Sequence, residues 1–303
     1  MFSLLIPWFL VTISLGIIVL LMKKKWEYSI ILILLVIIIN WWFESVPLNL
    51  QRRKDLNREK CFKVISFNID GSTGDTLIKA QDVRNFLHPY SADIVFVAEF
   101  NEQYPHSLDS LLHIEYAYST FPDSLFFQYF YGRFPFINSR RLKSNDGEWI
   151  GVYACSAIIK GDTLDLYGCH WASNNYNEQH EREEVDNFDG IKNIKNIYTA
   201  STFRKKEAEA IVREMSKSSH SAIVMGDMND VGGSPALKIL ESAGLKNAWW
   251  EGGVGYGATI FKPLPYRIDH ILFSKGLNLG TISVLDTKEI SDHNALFAEF
   301  IVE

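Results

Sequence analysis

Two long apolar runs open the chain, and short apolar runs separated by polar stretches make up the rest. Residues 2–22 (FSLLIPWFLVTISLGIIVLLM) and 28–43 (YSIILILLVIIINWWF) carry no charged side chain. A bilayer-spanning helix needs about 20 apolar residues, so the first run suffices and the second is near the short limit. A cleaved signal peptide would want a basic start, a shorter apolar core and a small-residue cleavage site. Here Lys23, Lys24 and Lys25 follow the run instead, and a second apolar run comes at once. The pattern predicts a transmembrane helical hairpin over residues 1–45; a signal followed by one anchor is the alternative. Residues 46–60 are polar and charged and read as a juxtamembrane linker.

Beyond residue 60 the period changes. Lys63–Ile69 reads as a strand, rich in β-branched and aromatic residues. Thr76–His88 sets Leu77, Ala80, Val83, Phe86 and Leu87 at helical spacing, and Pro89 closes it. Asp93–Val97 is almost wholly apolar, as in a strand covered on both faces. Val152–Lys160 and Thr163–Cys169 flank Gly161-Asp162, a hairpin signal. Residues 174–199 are polar and read as irregular, and Ser201–Met215 as a helix. Strands are expected at Ala222–Met225, Arg267–Phe273, Leu279–Asp286 and Ala295–Ile301. Strands alternating with helices, plus hairpins, predict one continuous α/β domain over 61–303 with helices on the outer faces.

Charge narrows the class. The whole chain has 30 Lys+Arg and 36 Asp+Glu; without the 8 basic and 4 acidic residues of 1–60, the balance is 22 to 32, a net of −10. A basic surface for long nucleic-acid tracts is therefore missing, although a bound metal supplies local positive charge. Three lysines in the hairpin turn favour a cytoplasmic turn and an extracytoplasmic domain. Arg52, Arg53, Lys54, Arg58 and Lys60 pull the other way; the expectation is an integral membrane protein, of the inner or plasma membrane, with its domain outside the cytoplasm. Cys61, Cys155 and Cys169 form no metal motif. Cys155 and Cys169 lie on successive strands, either bridged or, as expected here, free and buried.

Polar clusters sit at the strand ends: Asn68 and Asp70; Glu99; His170; Asp227, Asn229 and Asp230; Arg267, Asp269 and His270; Asp292, His293 and Asn294. Side chains from neighbouring strand ends can converge on one cleft. Carboxylates, amides and imidazoles without cysteine suit a hard, oxygen-liganded cation such as Mg²⁺. Each element alone has a plain structural reading: a turn at Asn68, an Asx turn at Asp227–Asn229, a salt bridge between Arg267 and Asp269. Their order and placement together give them weight.

Val64-Ile65-Ser66-Phe67-Asn68, Asp93 to Glu99, Gly168-Cys169-His170, Gly226-Asp227-Met228-Asn229-Asp230, Arg267-Ile268-Asp269-His270-Ile271 and Ser291-Asp292-His293 resemble the successive signature blocks of the endonuclease/exonuclease/phosphatase family. The resemblance spans nearly all of 61–303. It implies a four-layer α/β sandwich, two central mixed sheets flanked by helices, with the active site at one rim. It implies that Glu99 binds the metal with Asn68 and Asp292 on or near it, and that Asp227 orients or deprotonates the attacking water. Asn229 would position that water or the phosphate, His293 and His170 would hold phosphate oxygens, and Asp269 would orient His293. The implied cofactor is Mg²⁺, with Mn²⁺ or Ca²⁺ as substitutes. Ala98 stands where the family often has Gln, Trp171 where Leu is usual, and the 174–199 insert is longer and more charged than a minimal connection. Arg204 reads as part of a solvated helix face or as a phosphate ligand, and Trp171, Trp249 and Trp250 as core or interface residues.

The expected activity is a membrane-anchored, metal-dependent phosphoester hydrolase acting on a nucleic acid, a lipid headgroup or a small phosphate. The alternative is a catalytically silent anchored binding module of the same fold. The two N-terminal helices would engage the bilayer, and no obligate protein partner is evident.

Overall fold

The computed structural model describes residues 5–47, 49, 60–70, 76–99, 105–120, 127–174, 190–261, 264–287 and 290–303. Both apolar runs form helices, α1 (Ile6–Met22) and α2 (Trp26–Phe43), which pack as a hairpin. Of the two, the 18-residue α2 is long and apolar enough to cross a membrane; α1 has 17 residues. Most of the expected linker lies outside the described residues.

The strands assemble into two six-stranded mixed sheets. The first runs β11 (Leu277–Leu285), β12 (Ala295–Val302), β1 (Cys61–Asn68), β2 (Ile94–Ala98), β4 (Gln128–Gly132), β3 (Tyr118–Ser119). The second runs β5 (Phe136–Lys143), β6 (Trp149–Ile159), β7 (Asp162–His170), β8 (Ser221–Asp227), β10 (Asp269–Phe273), β9 (Lys246–Asn247). Within each, one pair is parallel, β1 with β2 and β7 with β8. Outside lie α3 (Thr76–Leu87) and α4 (Pro105–Leu112) on the first sheet, and α5 (Gly190–Met215) and α6 (Pro235–Ser242) on the second; α7 (Ala248–Gly252) sits near the edge, against β10 and β11.

Strand alternation sorts the side chains into three apolar layers. Phe62, Val64, Phe96, Tyr153, Cys155, Leu166, Met225, Ile271 and Phe300 fill the space between the sheets. Ile65, Phe67, Val95 and Val97 turn outward under α3 and α4. Val152, Tyr167, Cys169, Val224 and Leu272 turn outward under α5 and α6. This separates the two buried cysteines: Cys155 faces the other sheet and Cys169 faces the helices, so both are free thiols.

Several boundaries differ from the sequence reading. The hairpin turn is Lys160-Gly161, one residue earlier than expected, and both residues have positive φ (54° and 95°), the mark of a type I′ turn. Helix α5 begins at Gly190, inside the stretch read as irregular; residues 175–189 of that insert lie outside the described residues. Trp171 and Trp249 are core residues, 1% and 7% exposed, rather than interface residues. Strands β3, β4, β5 and β9 and the helices α4, α6 and α7 are absent from the sequence reading; β5 is mostly exposed and polar, with no apolar run to announce it.

Candidate active site

The same alternation that builds the inter-sheet core delivers the site. Asn68 continues the inward-facing series Phe62, Val64 on β1. His170 continues Leu164, Leu166 on β7, Asp227 continues Ile223, Met225 on β8, and Asp269 precedes Ile271, Phe273 on β10. These four polar residues cap the apolar inter-sheet layer at one rim. Register brings them together: His170 pairs with Asp227, and Asp227 with Asp269. Glu99, one residue past β2, would by alternation face outward under α3. Its φ of +58° turns it inward; Asn229 and Asp70 are also left-handed, at +49° and +43°. Such backbone is costly for non-glycine residues and clusters at functional sites.

Close packing needs two glycines from these motifs. A Cβ on Gly168 would lie 2.0 Å from the Phe96 ring across the sheets. One on Gly226 (φ +138°) would lie 2.0 Å from the Cys169 carbonyl oxygen.

Asp227 is the hub. Asn68 Nδ2 donates to Asp227 Oδ2 (3.2 Å) and to Glu99 Oε1 (3.1 Å). The Asn229 N–H donates to Asp227 Oδ1 (2.8 Å). Asn229 Nδ2 donates to the Trp171 carbonyl (2.9 Å) and to Asp227 Oδ2 (3.3 Å). His293 Nε2 stands 3.9 Å from Asp227 Oδ2, and its Nδ1 meets Asp269 Oδ2 at 2.8 Å. His170 Nε2 meets Glu99 Oε1 at 2.7 Å. Thr259 Oγ1 accepts from the N–H groups of Ile268 and Asp269 (3.1 and 3.2 Å), fixing the strand that carries Asp269. Ser291 Oγ donates to the Asn68 carbonyl (2.7 Å) and accepts the His293 N–H (3.0 Å), tying the last motif to the first.

Charge follows this geometry. Burial disfavours a charged His293, but the charge and hydrogen bond of Asp269, with Asp227 and Asp292, override it and push its pKa up to about 10. It is an imidazolium at neutral pH. Burial, with the charge of Asp269, pushes Asp227 upward against the pull of His293 and His170. Burial also works against an ionised Glu99, yet His170, followed by Asn68 and His293, holds it down at about 2. Asp292 is exposed at the edge and raised by partial burial and by Asp70 and Glu99.

Glu99, His170 and Asp227 each offer a ligand atom within 4.8 Å of the others. The two carboxylates, with the Asn68 amide alongside and no thiolate, fit a hard divalent cation, while His170 Nε2 is engaged with Glu99. Asn68 directs its NH₂ group at both carboxylates, and Asp292 is not one of the three.

Three contributors were missed in the sequence. Lys79 donates to the Asp70 carbonyl and carries its charge among Asp70, Asp292 and Glu99; its place beside exposed helix positions gave no signal. Glu207, on a helix read as solvated, is 4% exposed and accepts from the N–H groups of Gly151 (2.9 Å) and Ala172 (3.1 Å), anchoring the chain just after His170. Thr259 lies in a loop without apolar pattern. Arg204 is not on a solvated face: it is 1% exposed, paired with Asp230 at 3.2 Å and bonded to the Ala172 carbonyl and Asn174. Arg267 pairs with neither Asp269 nor solvent but with backbone carbonyls of residues 44, 45 and 256.

Solved structures share this architecture. The human nocturnin catalytic domain with bound sulfate superposes with a TM-score of 0.60 at 16% identity, covering 83% of this chain and 97% of that one. D. rerio TDP2 complexed with a single-strand DNA product gives 0.57 at 18%, covering 79% and 98%. The 3′ phosphatase NExo from Neisseria, bound to a product DNA hairpin, gives 0.58 at 15%, covering 79% and 99%. No curated protein matches the chain in sequence. The profile of the Endonuclease/Exonuclease/phosphatase family matches residues 65–293, and the chain belongs to that family.

Proposed function

We propose that this protein is a membrane-anchored, divalent-metal-dependent phosphoesterase that cleaves its substrate with an activated water. The observation that carries this reading is the buried Asp227 carboxylate, held by Asn68 and Asn229 and set 3.9 Å from a His293 imidazolium backed by Asp269. A phosphoester resists attack because its oxygens repel the nucleophile. An imidazolium at fixed distance stabilises charge as it builds on them. Asp227, buried and raised toward the working pH, is placed to take a proton from water. Asn229 and Asn68 hold that carboxylate in one orientation, so water rather than the side chain is what moves. His170, whose pKa burial lowers but the hydrogen bond and charge of Glu99 raise, offers a second donor to the phosphate. Glu99, with Asn68 and Asp292 at hand, would hold the cation, Mg²⁺ by its oxygen donors with Mn²⁺ or Ca²⁺ as substitutes. When bound, the metal supplies Lewis-acid stabilisation of the phosphoryl oxygens and a lowered pKa for water.

The solved structures named with DNA products, and the sulfate in nocturnin, support a phosphate-recognising site. The apolar hairpin α1–α2 supports anchoring. Lys23–Lys25 support a cytoplasmic turn and a domain outside the cytoplasm, against the opposite pull of Arg52, Arg53, Lys54, Arg58 and Lys60.

The test is hydrolysis of a chromogenic phosphodiester by the full chain in detergent, in H₂¹⁸O, with Mg²⁺, Mn²⁺, Ca²⁺ or EDTA. Metal-dependent release with ¹⁸O in the phosphoryl product is expected. Turnover unchanged by EDTA, or ¹⁸O absent from the phosphoryl product, contradicts the reading; folded, metal-binding protein without turnover of any phosphoester would establish the silent module instead.

A further inference from the structure

The helical hairpin is clamped to the rim that carries the site. Arg267, two residues before Asp269 and 2% exposed, donates from Nη2 to the Glu44 carbonyl (2.7 Å) and from Nη1 to the Ser45 carbonyl (3.3 Å). These are the backbone groups that end α2. Gly232 and Gly233, just past Asp230, let that end approach: a Cβ on either would lie 2.8 or 2.6 Å from the backbone of Phe43. The Gly255 N–H donates to the Pro47 carbonyl (2.9 Å), and Lys238 Nζ meets Glu44 at 3.1 Å. The other helix of the hairpin touches the same side, through Trp8 Nε1 to the Tyr266 hydroxyl (3.2 Å).

From Tyr266 the backbone leads to the site in two steps. Ile260 bridges Tyr266 on one side and His293 on the other. With neighbouring backbones about 5 Å apart, the His293 backbone lies roughly 10 Å from that of Tyr266. Phe261 and Leu264, on the same loop, are 57% and 42% exposed.

The aromatic residues of the hairpin mark where a bilayer would end. Trp8, Trp41 and Trp42 lie at the domain end; Trp26 and Tyr28 lie at the turn, beside Lys23–Lys25. Between them α1 is almost wholly aliphatic from Phe9 to Met22, about 21 Å of helix against a hydrocarbon core of about 30 Å, a shortfall that local thinning of the bilayer accommodates. Tryptophan and tyrosine settle at the membrane–water boundary. The domain-side boundary is then level with Trp8, and so with Tyr266 and its loop.

Resting on the phosphoesterase reading, we infer that the hairpin holds the site against the bilayer and that the substrate is a membrane phospholipid, its headgroup phosphate reaching His293 from the leaflet in which Trp8, Trp41 and Trp42 sit. Phe261 and Leu264 dip into that leaflet beside the entrance.

The experiment uses the full chain reconstituted into vesicles of phosphatidylethanolamine, phosphatidylglycerol and sphingomyelin. Their short-chain analogues, kept below micelle formation, serve as soluble substrates in detergent, alongside a single-stranded DNA oligonucleotide. The variant Phe261→Asp/Leu264→Asp replaces two exposed side chains and none of the site residues. The expected result is turnover of a vesicle lipid that falls about tenfold or more in the variant, the loss of one well-buried aromatic contact. Hydrolysis of the soluble analogue should stay within about twofold. Equal loss on vesicle and soluble substrates, no loss on either, or DNA cleaved in preference to any lipid overturns the inference while leaving the phosphoesterase intact. Failure to hydrolyse any substrate, soluble diesters included, overturns both.

Discussion

Replacing Arg204 by methionine is a test of how the catalytic loop is held. The guanidinium and the Asp230 carboxylate are almost fully buried, 1% and 3% exposed, and 3.2 Å apart. Arg204 also binds the Ala172 carbonyl and Asn174 Oδ1, each at 3.0 Å. It thus joins α5 to the chain after His170 and to the loop after Asp227. Arg204→Met leaves Asp230 buried without its counter-charge, which costs about 3–5 kcal/mol. At roughly 2–4 °C per kcal/mol for a large domain, the melting midpoint should fall by about 6–20 °C. Burial already raises Asp230, so the deprived carboxyl will protonate more readily. Its contribution to stability is kept at low pH and lost as pH rises through the folded-state value, so the deficit should shrink on acidification. Arg204→Met/Asp230→Asn removes both charges, keeps the acceptor for the Val231 N–H, and should recover at least half of the loss. Differential scanning fluorimetry in detergent reads all three proteins. A midpoint within about 2 °C of wild type, together with a large fall in kcat/KM, would refute this account and place Arg204 on a substrate phosphate.

Two further outcomes follow from the same contacts. Asp269→Asn removes the main support of the His293 imidazolium; losing a charge-assisted hydrogen bond of about 1.5–3 kcal/mol moves the basic limb of the pH–kcat profile down by about 1–2 units. Because the folded His293 pKa is raised from 6.5 to about 10, its contribution to stability is full below 6.5 and lost as pH rises through 10, and in the variant this alkaline loss should be smaller and complete at lower pH. A profile that matches wild type would show that His293 does not act as the cation. Gly226→Ala should cost at least about 2 kcal/mol in a melt, since its Cβ meets the Cys169 carbonyl at 2.0 Å and its φ is +138°. Gly147→Ala, also at positive φ but with open space around it, should lose only about 1 kcal/mol; equal losses at the two sites would remove the steric argument.

Much of this was legible because inward and outward positions alternate. The apolar strands Lys63–Ile69, Asp93–Val97 and Ala222–Met225 were plain, and the polar ends of the first and last, Asn68 and Asp227, fell in phase with the inward face, so one cleft could be read from separate motifs. What stayed hidden depended on burial or on φ. Glu207 and Arg204 sit on a helix whose charges look solvated, and only the packing of α5 against β6 and the loop after His170 makes them internal. Glu99 reaches the site through a left-handed backbone that no side-chain pattern encodes. Arg267 sits in a family motif, yet its partners are carbonyls more than 200 residues earlier in the chain. Strand β5 escaped because it is polar on most positions and its place is set by pairing with β6.

The central claim is that a buried carboxylate activates water beside a fixed imidazolium. Its most direct test is single-turnover hydrolysis of a soluble phosphodiester by wild type and Asp227→Asn, with Mg²⁺ present and folding matched by melting. Asparagine keeps the shape and the hydrogen bonds that Asp227 accepts at Oδ1 but cannot take the proton. The account predicts a rate lower by at least about 10²-fold, the usual contribution of a positioned general base. A variant within tenfold of wild type would mean that Asp227 is not the base.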